Sequence, residues 1–409
     1  MSLSDDALLI ARRAIAQALP GEAVKRALAV HRDFLDTPGR RILVAVGKAA
    51  WTMARAACDE MSFDRGVVVT GHGCAHGSLG DIPIIEAGHP IPDEMSIRGA
   101  EAALECVRDL TADDRVLFLL SGGGSALFEK PLIPLDELAN ITDALLRSGA
   151  DITAINTIRK RLSAVKGGRF AQACHPARVL SLVLSDVLGD PLDMIASGPA
   201  APDSSTSQDA LDIAARYALP LSDAAQDCLK TETPKTLDNV ESEIIGSVAL
   251  LCSSAMDTAR SLGYESHLIT DRLDCEAREA GAFLGAMAKT HAGHGKRAFI
   301  LGGETVVHVH GHGLGGRNQE IALAAIPALD GLNATLLSIG SDGRDGPTDA
   351  AGGWADGSSF GKCREAGVDI AAALRDNDAL HALSRIGALI VTGPTGTNVG
   401  DLTVLLTGD

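Results

Sequence analysis

Short uninterrupted apolar runs alternate along this chain with longer stretches whose apolar residues recur every three or four positions. The early runs are RILVAVG at 41–47, GVVVTG at 66–71, RVLFLLSG at 115–122 and RVLSLVLSD at 178–186. Runs of this length, bounded by glycine and followed by helical spacing, predict parallel strands covered by helices on both faces. Later candidates are SVALLC at 247–252, ESHLIT at 265–270, RAFILGGETVVHVHG at 297–311, whose GGETVVHVHG part looks like a hairpin, ATLLSIGSDG at 334–343 and ALIVTGP at 388–394. The opening MSLSDDALLIARRAIAQALPG places Leu8, Ala11, Ile15 and Leu19 on one side of a helix with a Ser and acid cap, stopped at Pro20-Gly21. The fold class expected is therefore α/β: two domains, each a mostly parallel sheet flanked by helices. A segment richer in Pro, Ser, Asp and Thr at 200–240 puts the boundary near 235, although 205–231 also fits surface helices of the first domain.

Composition narrows the partners. The 409 residues carry 36 Lys plus Arg against 53 Asp plus Glu, a net charge of −17, which disfavours nucleic acid and membrane surfaces. Any anionic ligand must then meet a local cluster of cations. Aromatics are only 3%, so the core is built from Ala, Leu, Val and Ile, and base-stacking platforms are not expected. No run of about 18 apolar residues occurs, so no membrane span is expected. Eight cysteines without a C-x-x-C pair read as reduced thiols of a cytoplasmic protein. The 44 glycines exceed the roughly 29 of average usage and cluster where apolar runs end.

In open α/β sheets ligands bind beyond the carboxyl ends of strands, so those ends carry the candidate chemistry. Gly47-Lys48 comes after the first run and places an ammonium at a helix start; alone, Lys48 also fits a solvated first-turn residue. SGGGSAL comes after RVLFLL, and Ser121, Gly122, Gly123, Gly124 and Ser125 offer backbone N–H groups and two hydroxyls to a phosphate at a helix N-terminus. It is not a Walker motif, and Leu127 stands where a nucleophile elbow needs glycine, which leaves a plain tight turn as the competing reading. Asn156, Arg159 or Lys160, Ser163 and Lys166 can share a helix face that steers anions, or form an ordinary solvated cationic helix.

SDVLGDPLD offers Asp186 and Asp190, with Asp193 close behind, for a hard cation or for a hydroxyl proton. GSDGRDGPTDAAGG carries Asp342, Asp345 and Asp349 on a glycine-rich loop whose spacing does not match a calcium-binding loop. GHGLGGRNQE contains G-x-G-x-x-G in the wrong context for a dinucleotide site, so its notable residue is Arg317, a fork for phosphoryl or carboxylate oxygens. His308, His310 and His312 alternate as on a strand but lack an evident fourth metal ligand. Asn398 sits on a further strand-end loop, TGPTGTNVGDL.

Taken in order, VGKAA, SGGGSAL, NTIRKRLSAVKGGR, SDVLGD with SGP, GGRNQE, GSDGRDGPTDAAG and TGPTGTNVGDL resemble the class II glycerate 2-kinase family, whose C-terminal part is the MOFRL domain. The resemblance spans about residues 5–405. GSVAL at 246–250 and Gly400 depart from the family's usual GSN and Asn. It implies a Rossmann-like domain over 1–235, a C-terminal α/β domain over 236–409 with the MOFRL region at about 295–405, and a site in the cleft between them. It further implies ATP and Mg2+ and phosphorylation of glycerate to 2-phosphoglycerate in the cytoplasm, with a homodimer as one possible assembly. Carried onto these residues, Ser121 to Ser125 and Lys166 hold nucleotide phosphates, and Lys48 and Arg317 stabilise the moving phosphoryl group. Asp186 or Asp190 orients or deprotonates the 2-hydroxyl, Asp342 and Asp345 sit near magnesium, and Asn156 and Asn398 contact substrate or nucleotide. An NAD(P)H-dependent hydroxypyruvate reductase is the alternative activity, since that keto acid is a close relative of glycerate. Against it, no G-x-G-x-x-G comes after the first strand and no acid is placed for a ribose. A non-catalytic sensor of a small hydroxy acid or nucleotide is the remaining reading.

Overall fold

The computed structural model describes residues 2–408. They form two compact units, one running from Pro20 to Ile245 and the other joining the segment up to Leu19 to everything from Gly246 onward.

The first unit is built on β1 (Arg41–Val46), β2 (Arg65–Gly71), β3 (Ile84–Ala87), β4 (Arg115–Leu120), β5 (Arg178–Leu184) and β6 (Val240–Gly246), in the order β3-β2-β1-β4-β5-β6. The pairs from β3 through β5 are all parallel, with Val44 opposite Val67 on one side and Phe118 on the other. Every residue of β4 after Arg115 is buried, which is why the run reads as continuously apolar. Phe118, Phe128 and Phe170 pack on one another, with ring centroids 4.8 Å apart for Phe118–Phe170 and 5.4 Å for Phe128–Phe170. A satellite core of Leu138, Ile141, Leu145, Ile158, Ala210 and Leu229 joins the helices Leu135–Arg147 and Ile152–Arg161 to Ser207–Arg216 and Asp223–Lys230. Residues 205–231 are thus largely surface helices of this unit.

Strand order reverses between β1 and β4. Such a reversal is the place on an open α/β sheet, at the carboxyl ends of its strands, where ligands bind.

The division between the units falls at Ile245, not at 235, because β6 lies beside β5 and still belongs to the first sheet. A linker-like composition preceded the last strand and concealed it. The N-terminal helix Leu3–Gln17, capped by Ser2 and Asp5, belongs to the second unit, where the Tyr264 hydroxyl donates to buried Asp6 at 2.7 Å. A second helix starts at Pro20, where the sequence signalled a stop.

The second unit carries β7 (Glu265–Leu273), β8 (Arg297–Gly303), β9 (Ala334–Gly340), β10 (Gly352–Asp356), β11 (Leu389–Ile390) and β12 (Asp401–Thr407), in the order β11-β10-β9-β12-β8-β7. β7, β8, β9 and β11 share one direction, whereas β12 and β10 run against their neighbours. These two inverted strands are where the sheet departs from the expected parallel arrangement. An all-apolar run reports burial on both faces and is silent about direction. SVALLC is not a strand but the start of the helix Val248–Ser261, which buries Val248, Leu251, Cys252, Ala255 and Ala259 at helical spacing. The expected hairpin also fails to form: after β8 only Val306 makes a bridge, to Glu276. Among the described residues no helix is long and apolar enough to cross a membrane.

Candidate functional site

The end of β1 and the end of β4 are tied together before either meets a ligand. The Ser121 hydroxyl accepts from the Ala49 N–H at 3.1 Å and donates to the Val46 carbonyl at 3.3 Å. Lys48 N–H donates to the Gly122 carbonyl at 2.9 Å, and Thr70 Oγ1 donates to the Gly47 carbonyl at 3.0 Å. Gly47 sits at φ +121°, and a Cβ there would overlap Ser121. Ser121 is therefore buried and fully employed in joining the two loops, and does not present its hydroxyl to a phosphate.

Gly122 and Gly123 face a cavity of about 660 Å³ whose wall also holds His89, Ser125, Asn156, Arg159, Asp186 and Asp193. A Cβ at Gly122 would overlap the Asp186 carboxylate. One at Gly123 would stand 3.2 Å from both His89 and the Lys48 side chain. The triple glycine thus lets an exposed lysine, an imidazole and an exposed carboxylate close on one stretch of backbone. Burial and the neighbouring Lys48 charge both hold the His89 pKa below its ordinary value. The helix after the loop, Gly124–Leu127, is a single turn, so the loop's own N–H groups, and not a long helix dipole, supply what positive potential there is.

Under the loop lies a buried ionic cluster. Lys166 Nζ donates to the carbonyls of Ser125 at 2.9 Å and Phe128 at 2.7 Å, and Arg159 donates to the same Ser125 carbonyl at 2.7 Å. Both cations approach fully buried Glu129, at 3.5 Å from Lys166 and 3.7 Å from Arg159. Burial pushes the Lys166 pKa down to about 8, against the pull of Glu129. Lys166 is a strut beneath the phosphate-binding candidate and does not reach its open face.

The cationic helix face predicted over 156–166 is mostly neutralised inside the protein. Lys160 bridges Asp193 and Asp203, each at 3.0 Å, and Arg161 reaches Asp203, Ser205 and Glu232. Asn156 does line the cavity and is nearly buried. Asp190, at φ +54°, stands outside the cavity wall that Asp186 joins.

In the second unit Arg317 opens the helix Arg317–Leu329. Its Nε donates to Asp401 Oδ2 at 2.5 Å, Nη2 to Asp401 Oδ1 at 3.1 Å and Nη1 to Glu304 at 2.9 Å. Burial works to lower its pKa, but the Asp401 bonds prevail and raise it; burial lifts Asp401 to about 6 in spite of the guanidinium. Of five N–H donors, three are used among the described residues and two remain.

Asp345 accepts from the backbone N–H groups of Asn318 at 3.1 Å and Gln319 at 2.9 Å, and from both their side-chain amides. It caps the Arg317 helix from a distant loop. A carboxylate whose two oxygens are so committed does not fit a magnesium ligand. Asp342 is half-buried and accepts the Arg344 N–H at 2.9 Å. Among the described residues no group of three or more His, Cys, Asp or Glu could hold a metal ion. His308 pairs with Glu276, while the backbone N–H groups of His310 and His312 donate to Asn377 and Asp376, so the histidines do not converge. Asn398 is exposed, its side-chain carbonyl accepting the Gly400 N–H at 3.4 Å.

Sequence reasoning overlooked His89 and Ser197. His89 lies just past β3, a strand of only four residues, too short to stand out as an apolar run. Ser197 lies in the SGP string, whose conformation no local rule anticipates: Ala196, Ser197 and Gly198 are all left-handed, at φ +51°, +61° and +64°.

Comparison with known proteins adds an independent line. Residues 6–230 match a family described as a domain of unknown function (DUF4147), and residues 297–401 match the MOFRL family. A D-glycerate 2-kinase of Thermotoga maritima is 51% identical over 98% of both chains, and a glycerate 2-kinase of Pyrococcus horikoshii is 39% identical over 99% of this chain and 98% of its own. The crystal structure of a glycerate kinase from Thermotoga maritima superposes with a TM-score of 0.94 at 50% identity, covering 99% of each chain.

Proposed function

Because the chain belongs to the glycerate kinase family with a C-terminal MOFRL domain, we propose that it transfers the γ-phosphoryl group of ATP to the 2-hydroxyl of glycerate, yielding 2-phosphoglycerate and ADP. The observation that carries the assignment to residues is the cavity at the strand-order reversal, lined by the Gly122–Gly123 backbone and Asp186, with the Lys48 side chain against Gly123 at its edge. Phosphoryl transfer asks for positioning and charge neutralisation more than covalent chemistry. The loop amides and Lys48 take the phosphate charge. The alcohol oxygen forms the new bond to phosphorus while the bond to the bridging oxygen of ADP breaks, and the alcohol proton passes to Asp186. Gly124 and Ser125 complete the loop, with Lys166 and Arg159 bracing its carbonyls from below. In its own unit Arg317 keeps two N–H groups for phosphate or carboxylate oxygens, and we assign exposed Asn398 to substrate or nucleotide contact. Magnesium would arrive on the nucleotide's phosphates, since Asp345 does not fit as its ligand. We assign the reaction to the cytoplasm, where ATP is available.

Phosphorus NMR of the product formed from glycerate and ATP tests this reading. A 2-phosphoglycerate signal is expected; 3-phosphoglycerate, or NADH oxidation by hydroxypyruvate without ATP, overturns it.

A further inference from the structure

Ser125 is the one hydroxyl of the glycine loop that faces the cavity, and its proton has a prescribed destination. The Ser197 hydroxyl donates to Asn156 Oδ1 at 2.8 Å and stands 3.3 Å from the Ser125 hydroxyl. The Asn156 amide is oriented by Met194, whose sulfur lies 4.0 Å from Nδ2. Reversing the amide would set its carbonyl oxygen against the thioether lone pairs. With Oδ1 toward Ser197, the single Ser197 proton is spent on Asn156, and Ser197 can only accept from Ser125. Ser197 is completely buried, so no solvent competes for it. Its placement is built at some cost: Ala196 and Ser197 are consecutive non-glycine residues in the left-handed region. The Ala196 methyl comes within 2.7 Å of where a Cβ on Gly124 would stand, so the strained turn is pressed against the loop itself.

From this order of protons we propose that Ser125 accepts a hydrogen bond from a ligand hydroxyl that the reaction leaves untouched, with Ser197 and Asn156 as the positioning residues that fix it in that sense. The inference deepens the kinase reading and rests on it. Ionised phosphate and carboxylate oxygens only accept, so an oxygen presenting lone pairs does not serve them. It serves an alcohol, and three are available: the 3-hydroxyl of glycerate and the 2′- and 3′-hydroxyls of the ATP ribose. A site made to bond a hydroxyl discriminates against a ligand that lacks it, because its own polar group is then left unpaired.

The experiment compares kcat/KM for glycerate against lactate, which keeps the 2-hydroxyl and lacks the 3-hydroxyl, and for ATP against 2′-deoxy-ATP and 3′-deoxy-ATP, in wild type, Ser125→Ala, Ser125→Thr and Ser197→Ala. Ser125→Ala is expected to erase on the order of tenfold of the preference in one arm, and that arm names the hydroxyl. Ser125→Thr retains the oxygen and the preference. Ser197→Ala lowers the same ratio by a smaller factor, whereas a merely structural loss would reduce both members of each pair alike. Equal losses for hydroxylated and deoxy ligands in Ser125→Ala, or no loss, overturn the proposal while leaving the kinase reading intact. A wild-type enzyme that does not phosphorylate glycerate overturns both.

Discussion

The loops around Gly122 and those around Asp345 are made of the same materials, glycines, aspartates and a cation at strand ends, yet they do opposite things. Around Gly122 the glycines let an imidazole and a carboxylate line an open cavity, with a lysine packed against Gly123 beside it. Around Asp345 the carboxylate is turned inward, with four N–H donors on its two oxygens, and Gly316 is packed so tightly on it that a Cβ would overlap. Residue type at a strand end therefore announces that something is being held there. Whether that is a ligand or the protein's own backbone depends on how many hydrogen bonds are already made.

Substitutions can break or sharpen this contrast. The largest effect is expected from Lys48→Ala, which should lower kcat by roughly 10²- to 10³-fold, the range for losing one group that stabilises transition-state charge. Because Lys48 is exposed, the thermal midpoint should stay put; full turnover would remove Lys48 from the site.

Asp345→Ala should act on the fold instead. Losing the cap leaves several buried donors unpaired, so a destabilisation of about 3 kcal/mol, roughly 10 °C in the midpoint, is expected by calorimetry. Added magnesium should not restore it. An unchanged midpoint would return Asp345 to the pool of free carboxylates.

Lys166 gives a pH signature for the strut beneath the loop. Its folded pKa of about 8 lies below the 10.5 of a free lysine, so between these values the unfolded chain binds more protons and stability rises with pH on this group's account. The slope for one proton is at most about 1.4 kcal/mol per pH unit. Urea unfolding between pH 7.5 and about 10 should show a rise in wild type that Lys166→Met lacks. A parallel profile in the variant would contradict the buried charge.

Smallest is the expected effect of Asp190→Asn. This residue occupies a left-handed position that asparagine tolerates, outside the cavity wall, so kcat should stay within about twofold and stability within about 0.5 kcal/mol. Asp186→Asn, in contrast, should lower kcat by about 10²-fold or more. Equal effects would erase the distinction between the two aspartates.

Much of this was legible in the chain. β1, β2, β4 and β5 coincide with the continuous apolar runs, and the N-terminal helix with its capping box, because those signals are local. Lys48, the glycine loop and Asp186 stand out for a similarly local reason, each lying immediately past the carboxyl end of an apolar run. The short β3 and the polar β6 were hidden, since neither shows an apolar run, and with β3 went His89. Ser121, Lys166 and Asp345 were recognised as special and given the wrong partners: each is held by residues distant in sequence, and spacing along the chain carries no information about those.

What the sequence determined by itself was the class of architecture and the places where chemistry could occur, because burial periodicity and the needs of strand-ending turns are written in neighbouring residues. The tertiary structure decided strand direction in the second sheet, the unit to which the first helix belongs, and which polar groups still have hydrogen bonds to offer. Those outcomes depend on which distant atoms satisfy each donor and acceptor, and that is settled only when the chain has closed on itself.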